Sequence, residues 1–224
     1  MIVIVFDTET TGIIPRGIDK REDLNKMPYI VQLSFIVFDT VKRTIKNSYD
    51  YVVKLPDGVE IPEEAANIHG ITTETSRTKG VSIKKALEVF LNEMYKSDYL
   101  VAHNLSFDET LVKTELYRLG LDGDKIFNHP NHKNLEKYCT MQKSRNICKM
   151  KMKDTKNGST YYKSPRQYEL HDYLFGTIPE NLHDSFNDIL VCLRNFVKLR
   201  FQYDLCSLNV EFRNMYEKYL NVKC

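Results

Sequence analysis

The chain opens on Ile2-Val3-Ile4-Val5-Phe6, five consecutive apolar residues, four of them β-branched. A short run that is apolar on both faces reads as a strand buried inside a sheet, which commits the chain to a sheet-based core. The run then meets Asp7-Thr8-Glu9. Strand side chains alternate, so Asp7 and Glu9 share one face while Thr8 points to the other. Two adjacent, partly buried carboxylates repel each other and are costly to desolvate. A divalent cation removes both costs. The plainer reading is a strand end entering a polar turn with solvated acids, and D-x-E alone does not separate the two. Further acids arriving at the same place would.

The chain has 224 residues, 42% of them hydrophobic, enough for one good core. The expected organisation is one domain over 1–205, carrying a basic insertion at about 120–165, with a helical extension at 206–224. A formal net charge of +2 means that any basic surface is local rather than global. The five cysteines (139, 148, 192, 206 and 224) are odd in number, irregularly spaced and lack a C-x-x-C pair, which predicts reduced thiols. His129 and His132 with Cys139 and Cys148 match no common zinc spacing. No apolar run is long enough to span a membrane, and a strand starting at Ile2 leaves no room for a presequence. The chain therefore reads as soluble and intracellular, cytoplasmic or nuclear.

Residues 12–28 hold Gly, Pro and a charged run and read as an exposed loop. Strands are expected over Tyr29–Phe38 and Tyr49–Leu55, giving an antiparallel meander with the first. Helical spacing predicts a helix over Ile83–Tyr95, followed by a short strand at Tyr99–Ala102. Ser106 is expected to cap a helix to about Leu119. A helical stretch is expected around Leu135–Arg145 within an otherwise irregular 120–165. Further helices are expected near Arg166–Phe175, from an Asp184 cap to about Tyr203, and over Glu211–Leu220. Together these fit one α/β domain with a mixed sheet. Gln32-Leu33-Ser34-Phe35 looks like a clamp-binding peptide but falls inside an expected core strand, so it cannot be a docking tail.

Asp108, in His103-Asn104-Leu105-Ser106-Phe107-Asp108, lies in the first turn of its helix. Positions +3, +4 and +11 from it are Leu111, Val112 and Leu119, which make Asp108 an acid on the inward face. Helix-dipole preference explains its place in the turn but not that direction. Glu109 beside it is ordinary, pairing outward with Lys113. His183 and Asp188, in His183-Asp184-Ser185-Phe186-Asn187-Asp188, flank the start of the longest apolar helix and can approach one point from one side. Asp7, Glu9, Asp108, Asp188 and His183 together form a chemical toolkit.

Phe6-Asp7-Thr8-Glu9-Thr10-Thr11-Gly12, His103-Asn104 through Phe107-Asp108, and His183 with Asp188 resemble, in order, the three motifs of the DEDDh exonucleases. That group contains the proofreading subunit of bacterial replicative polymerases. Ile68-His69-Gly70-Ile71-Thr72, Leu174-Phe175-Gly176 and Asn181-x-His183 also match family segments, so the resemblance spans residues 1 to about 203. The long basic segment and the extended loop after Gly12 depart from it. The resemblance implies a ribonuclease H-like, five-stranded mixed sheet: an antiparallel meander of three strands, then parallel strands, flanked by helices.

It also implies a two-metal 3′-to-5′ exonuclease that releases nucleoside 5′-monophosphates. Hard oxygen ligands favour Mg²⁺ or Mn²⁺, two ions about 4 Å apart. By resemblance Asp7 bridges them, Glu9 and Asp188 complete the first site, Asp108 serves the second, and His183 is the general base. Thr8, Thr10, Ile13, His69 and Asn104 match positions around the terminal nucleotide. Phe107 is divided between that pocket and the core. Single-stranded or frayed DNA is the expected substrate, because Thr-Glu-Thr-Thr-Gly looks closer to the DNA-proofreading branch. RNA or oligoribonucleotides are the alternative, and a non-catalytic nucleic-acid-binding module is a remote one. A polymerase partner stays open.

Lys143–Arg166 carries eight basic residues against one acid, Asp154, with Tyr161 and Tyr162 interleaved. This composition suits a mobile arm tracking a phosphate backbone; the plainer reading is a solvated loop.

Overall fold

The computed structural model describes residues 1–128, 135–155 and 158–224. The opening strand β1 (Ile2–Thr10) pairs antiparallel with β2 (Ile30–Asp39), which pairs antiparallel with β3 (Thr44–Lys54). Helices α1 (Glu63–His69) and α2 (Thr73–Lys79) lead into a two-residue strand, β4 (Val81–Ser82), parallel to β3 at the sheet edge. Helix α3 (Ile83–Met94), β5 (Tyr99–Ala102), α4 (Leu105–Arg118), α5 (Gly123–Phe127) and β6 (Glu136–Cys139) follow. Next come α6 (Thr140–Cys148), the hairpin strands β7 (Lys151–Lys153) and β8 (Thr160–Tyr162), and α7 (Gln167–Phe175). The chain ends in α8 (Ser185–Phe201), α9 (Leu205–Leu208) and α10 (Val210–Leu220).

The main sheet has strand order β4-β3-β2-β1-β5-β6, with β1, β5 and β6 parallel. The expected meander followed by parallel strands is thus present, in six strands because β4 adds a short edge. Its fold is ribonuclease H-like.

Alternation along β1 assigns its two faces to different helical layers. Val3 and Val5 pack with Ile36, Phe38 and Val101 under α8, α9 and α10. Ile4 and Phe6 pack with Leu33, Phe35 and Leu100 against α3 and α4. The second layer centres on Phe6, Phe35 and Phe90, with ring centroids 5.0 and 5.4 Å apart and each ring fully buried. Burying one such ring contributes roughly 1.5–3 kcal/mol. Gln32, Leu33, Ser34 and Phe35 are all buried, which bears out the rejection of that segment as a docking peptide.

The C-terminal segment is held by a buried polar network. Arg194 donates through Nε and Nη2 to Asp204 at 2.9 and 2.8 Å and lies over the rings of Phe175 and Tyr216. His171 donates from Nδ1 to the Thr177 carbonyl and accepts at Nε2 from the Tyr216 hydroxyl at 2.6 Å. Burial, opposed by the Thr177 carbonyl and aided by the Arg194 charge, lowers its pKa to about 4, so the ring is neutral. Phe212, Tyr216 and Leu220 are fully buried in the α8 layer.

Four expectations are corrected. Cys206 and Cys224 form a disulfide, where reduced thiols were expected; Cys139, Cys148 and Cys192 are free. The expected helix at Leu135–Arg145 is strand β6 followed by α6, because pairing with β5 overrides local helical pattern. Asn104, not Ser106, caps α4, in a left-handed conformation with φ 69°. The stretch 120–165 is not irregular: its described residues include α5, β6, α6 and a β-hairpin. His129 and His132 lie outside the described residues.

Candidate active site

All the acids meet at the C-terminal end of β1. The odd positions that bury Val3 and Val5 under α8 turn Asp7 and Glu9 toward the start of that helix, where Asp188 sits in the first turn. One ligand oxygen from each of Asp7, Glu9 and Asp188 lies within 4.8 Å of the others, and all three residues stay partly exposed. A register shift between Glu9 and Thr10 in the β1–β2 ladder marks the point where the strand leaves its regular pairing.

Asp108 comes from the opposite layer. It is 3% exposed on the inward face of α4, as expected, and Oδ1 accepts from both the Thr8 amide (3.1 Å) and the Thr8 hydroxyl (2.8 Å). Thr8 points to the α4 side of the sheet because Asp7 and Glu9 point to the α8 side. Asp108 is nonetheless near enough for its charge to raise both Asp7 and Glu9.

The electrostatics are those of an anionic recess without a counter-charge. Burial, followed by Asp108, Asp188, Glu9 and Asp184, pushes the Asp7 carboxyl well above the usual carboxylate range. Burial, then Asp188, Asp108 and Asp184, raises Glu9 to about 8. Burial raises Asp108 to about 7 against the two Thr8 hydrogen bonds, which favour its charged form. Asp188 is raised to about 7 by burial, opposed by the His183 amide and aided by Asp184. Among the described residues no lysine or arginine forms an ion pair with any of the four. An all-oxygen donor set with unneutralised charge fits a hard divalent cation.

His183 is exposed on the loop before α8, with φ 71°. Its backbone amide donates to Asp188 Oδ2 at 3.0 Å, which ties the loop to the cluster and leaves the imidazole facing solvent. The Asp184 cap expected for α8 is formed: its Oδ1 accepts from the Phe186 and Asn187 amides.

The other expected site residues divide. Ile13, three residues beyond the end of β1, is 85% exposed, unusual for a large apolar side chain. His69 is 7% exposed; Nδ1 accepts from the Ile71 amide, which puts the hydrogen on Nε2. That buried Nε2 has no well-formed hydrogen bond, although the Thr10 backbone faces the ring and partly offsets the lowering of its pKa by burial. The Thr10 hydroxyl donates to the Gly12 carbonyl at 2.6 Å and holds the turn. Asn104 is half-buried, while Phe107 packs against the core beside α4. His103 is half-buried, and burial, opposed by the Pro165 carbonyl, lowers its pKa to about 4. Nε2 donates to that carbonyl and Nδ1 accepts from Thr140, so this ring braces the site.

Sequence reasoning missed Gln167. Its Nε2 donates to Asp188 Oδ1 at 2.7 Å and to the Asp188 carbonyl at 3.0 Å. With the His183 amide on Oδ2, both Asp188 oxygens are fixed in direction. A glutamine at the start of a helix carries no local signal of this contact.

The sheet order, with a carboxylate cluster at the end of a central strand, defines a ribonuclease H-like α/β protein. Residues 4–196 match the family model described as Exonuclease (RNase T), and the chain belongs to that family, the DEDDh exonucleases. It is 30% identical over 127 residues to a DNA polymerase III subunit epsilon-like protein of Rhodobacter capsulatus, covering 57% of this chain and 16% of that protein. Exonuclease I of E. coli in complex with a dT13 oligonucleotide superposes with TM-score 0.66 at 17% identity, over 90% of this chain and 42% of that one. Exonuclease I of Methylocaldum szegediense gives 0.65 at 18% identity, over 89% and 40%. The chain thus spans less than half the length of these relatives. Among the described residues no helix is long and apolar enough to cross a membrane.

Proposed function

We propose that this chain is a divalent-metal-dependent 3′-to-5′ exonuclease acting on single-stranded DNA or frayed duplex ends. The observation that carries this reading is the uncompensated cluster of Asp7, Glu9 and Asp188 with Asp108 joining from the other layer. DNA rather than RNA is supported by the motif Thr8-Glu9-Thr10-Thr11-Gly12 and by the polymerase-subunit name of the Rhodobacter relative. The catalytic unit is residues 1–205, with 206–224 packed on α8 as its helical extension.

Asp7, Glu9 and Asp188 would hold one Mg²⁺ or Mn²⁺, and Asp7 with Asp108 a second. When bound, such ions neutralise the carboxylates and offset the charge that builds on the attacking and leaving oxygens. The Thr8 clamp opposes the burial that raises Asp108 and fixes the direction of its carboxylate. His183 takes the proton of the attacking water from the open side of the cluster. His69 Nε2–H, buried and unsatisfied, is available to the terminal nucleotide, as is the half-buried Asn104. Ile13 lies against the terminal base, with the edge of Phe107 closing the pocket. The product is a nucleoside 5′-monophosphate.

Matched 3′-labelled DNA and RNA strands, incubated with Mg²⁺ and with Mn²⁺, test this directly. Release of the label as a mononucleotide in the first step, faster from DNA, is the expected result. Intact strands in both metals would overturn the reading, and faster release from RNA would move the substrate to oligoribonucleotides.

Gln167→Ala should leave the fold intact but weaken Mn²⁺ binding by roughly 10–100-fold, since Asp188 loses its orienting donor. Calorimetric titration with Mn²⁺ measures this. Gln167→Glu should be worse, because it adds a charge beside an already raised carboxylate.

A further inference from the structure

The basic segment folds into a two-stranded ribbon rooted in the carboxylate cluster. Lys151 lies opposite Tyr162, Met152 opposite Tyr161, and Lys153 opposite Thr160. Directly opposed residues project from the same face of a ribbon. One face therefore carries Lys151, Lys153 and Tyr162, while the other carries Met152 and Tyr161. The last two are 45% and 44% exposed, with no core beneath them.

The root is firmly held. Arg145 Nε donates to the Tyr162 carbonyl at 2.6 Å, the Lys163 amide donates to the Met150 carbonyl at 3.0 Å, and Lys163 pairs with Glu169. The chain then passes Pro165, whose carbonyl accepts from His103, and reaches Gln167 on Asp188. Tyr162 lies five positions before Gln167, a span of at most about 17 Å even if fully extended. The ribbon thus rises from the rim of the carboxylate cluster.

Its charge is also unspent. Lys163 and Arg145 are engaged at the root, but Lys149, Lys151 and Lys153 form no ion pair with any described residue. In a chain of net charge only +2, three unpaired lysines, two of them sharing a ribbon face with the half-buried Tyr162, make a local polyanion-binding surface. An acidic protein would satisfy the lysines but gives no reason for the Tyr162 ring opposite Lys151 on the same face. A single nucleic-acid strand uses both, phosphates on lysines and a base stacked on an aromatic ring.

We propose that the β7–β8 ribbon holds the single strand upstream of the scissile phosphodiester, with Lys151 and Lys153 on phosphates and Tyr162, on the same face, stacking a base. This rests on the exonuclease reading for its substrate, but it is tested by binding rather than turnover. Fluorescence anisotropy of labelled dT20 is measured with the full chain, without divalent metal, between 50 and 200 mM salt.

Lys151→Glu/Lys153→Glu should weaken binding at least tenfold at the lower salt. It should also flatten the log–log salt slope by about 1.4, two phosphate contacts at about 0.7 each. Tyr162→Ala should weaken binding about tenfold with the slope unchanged. Lys84→Glu/Lys85→Glu makes the same charge change on exposed α3 positions and should leave affinity within about twofold. Ribbon variants that bind dT20 like wild type overturn the proposal, as does an equal loss in the α3 control or a wild type that does not bind. Loss of binding in the ribbon variants of a protein that never degrades DNA would sink the exonuclease reading and leave the ribbon as a strand-binding surface.

Discussion

Asp7→Asn should lower 3′-end hydrolysis by at least about 10³-fold, a loss of about 4 kcal/mol of transition-state stabilisation. Asp7 is the residue on which every charge in the cluster converges: Asp108, Asp188, Glu9 and Asp184 all raise it after burial does. Removing its charge removes a cation ligand, and it also relieves repulsion in the metal-free protein. The two effects can be read separately by melting temperature.

An acid whose folded pKa is raised binds its proton more tightly in the folded state. Its contribution to stability is complete below its unfolded pKa, near 4, and is lost as pH rises through the folded value. Glu9 at about 8, with Asp108 and Asp188 at about 7, sets the window between about pH 4 and 8. Metal-free wild type should therefore melt several degrees lower at pH 8.5 than at pH 5.5, and Mn²⁺ should restore it at the higher pH. Asp7→Asn should show a shallower loss with pH and little gain from Mn²⁺. Strong Mn²⁺ stabilisation of Asp7→Asn, with near wild-type turnover, would remove Asp7 from the site.

His183 is the second residue whose loss should be severe, by roughly 10²–10⁴-fold in turnover. The replacement matters because residue 183 has a left-handed backbone, φ 71°, which asparagine tolerates better than alanine. His183→Asn keeps the amide that donates to Asp188 Oδ2 while removing the base. Mn²⁺ affinity should hold within about threefold while turnover collapses. A variant that loses metal affinity and turnover together would make residue 183 a loop anchor. One that keeps its turnover would shift the proton transfer elsewhere.

Much of this site was legible along the chain because its elements are locally encoded. The β-branched run before Asp7 and the Leu111/Val112 face behind Asp108 each fix a side-chain direction within a few residues. So does the Asp184 cap before Asp188. Local pattern failed where partners are distant. Leu135–Arg145 reads as helix until β5 offers four residues of parallel pairing. Ser106 reads as a cap until Asn104 takes the left-handed turn. Gln167 is silent in sequence, and its contact with Asp188 spans 21 residues. The Cys206–Cys224 bond depends on α10 folding back against α9, which cysteine spacing does not reveal.

The sequence by itself determined the strand-end acids, their alternation with Thr8, the inward direction of Asp108 and the order of the motifs. These follow from the periods of strand and helix, which are properties of the local backbone. Only the tertiary structure decided that Asp108 arrives from the layer opposite Asp188, with Thr8 as its clamp and Gln167 and the His183 amide directing Asp188. The same is true of the basic segment's form as a ribbon rooted beside that carboxylate. Those facts depend on which faces pack together, and packing joins residues that the chain keeps far apart.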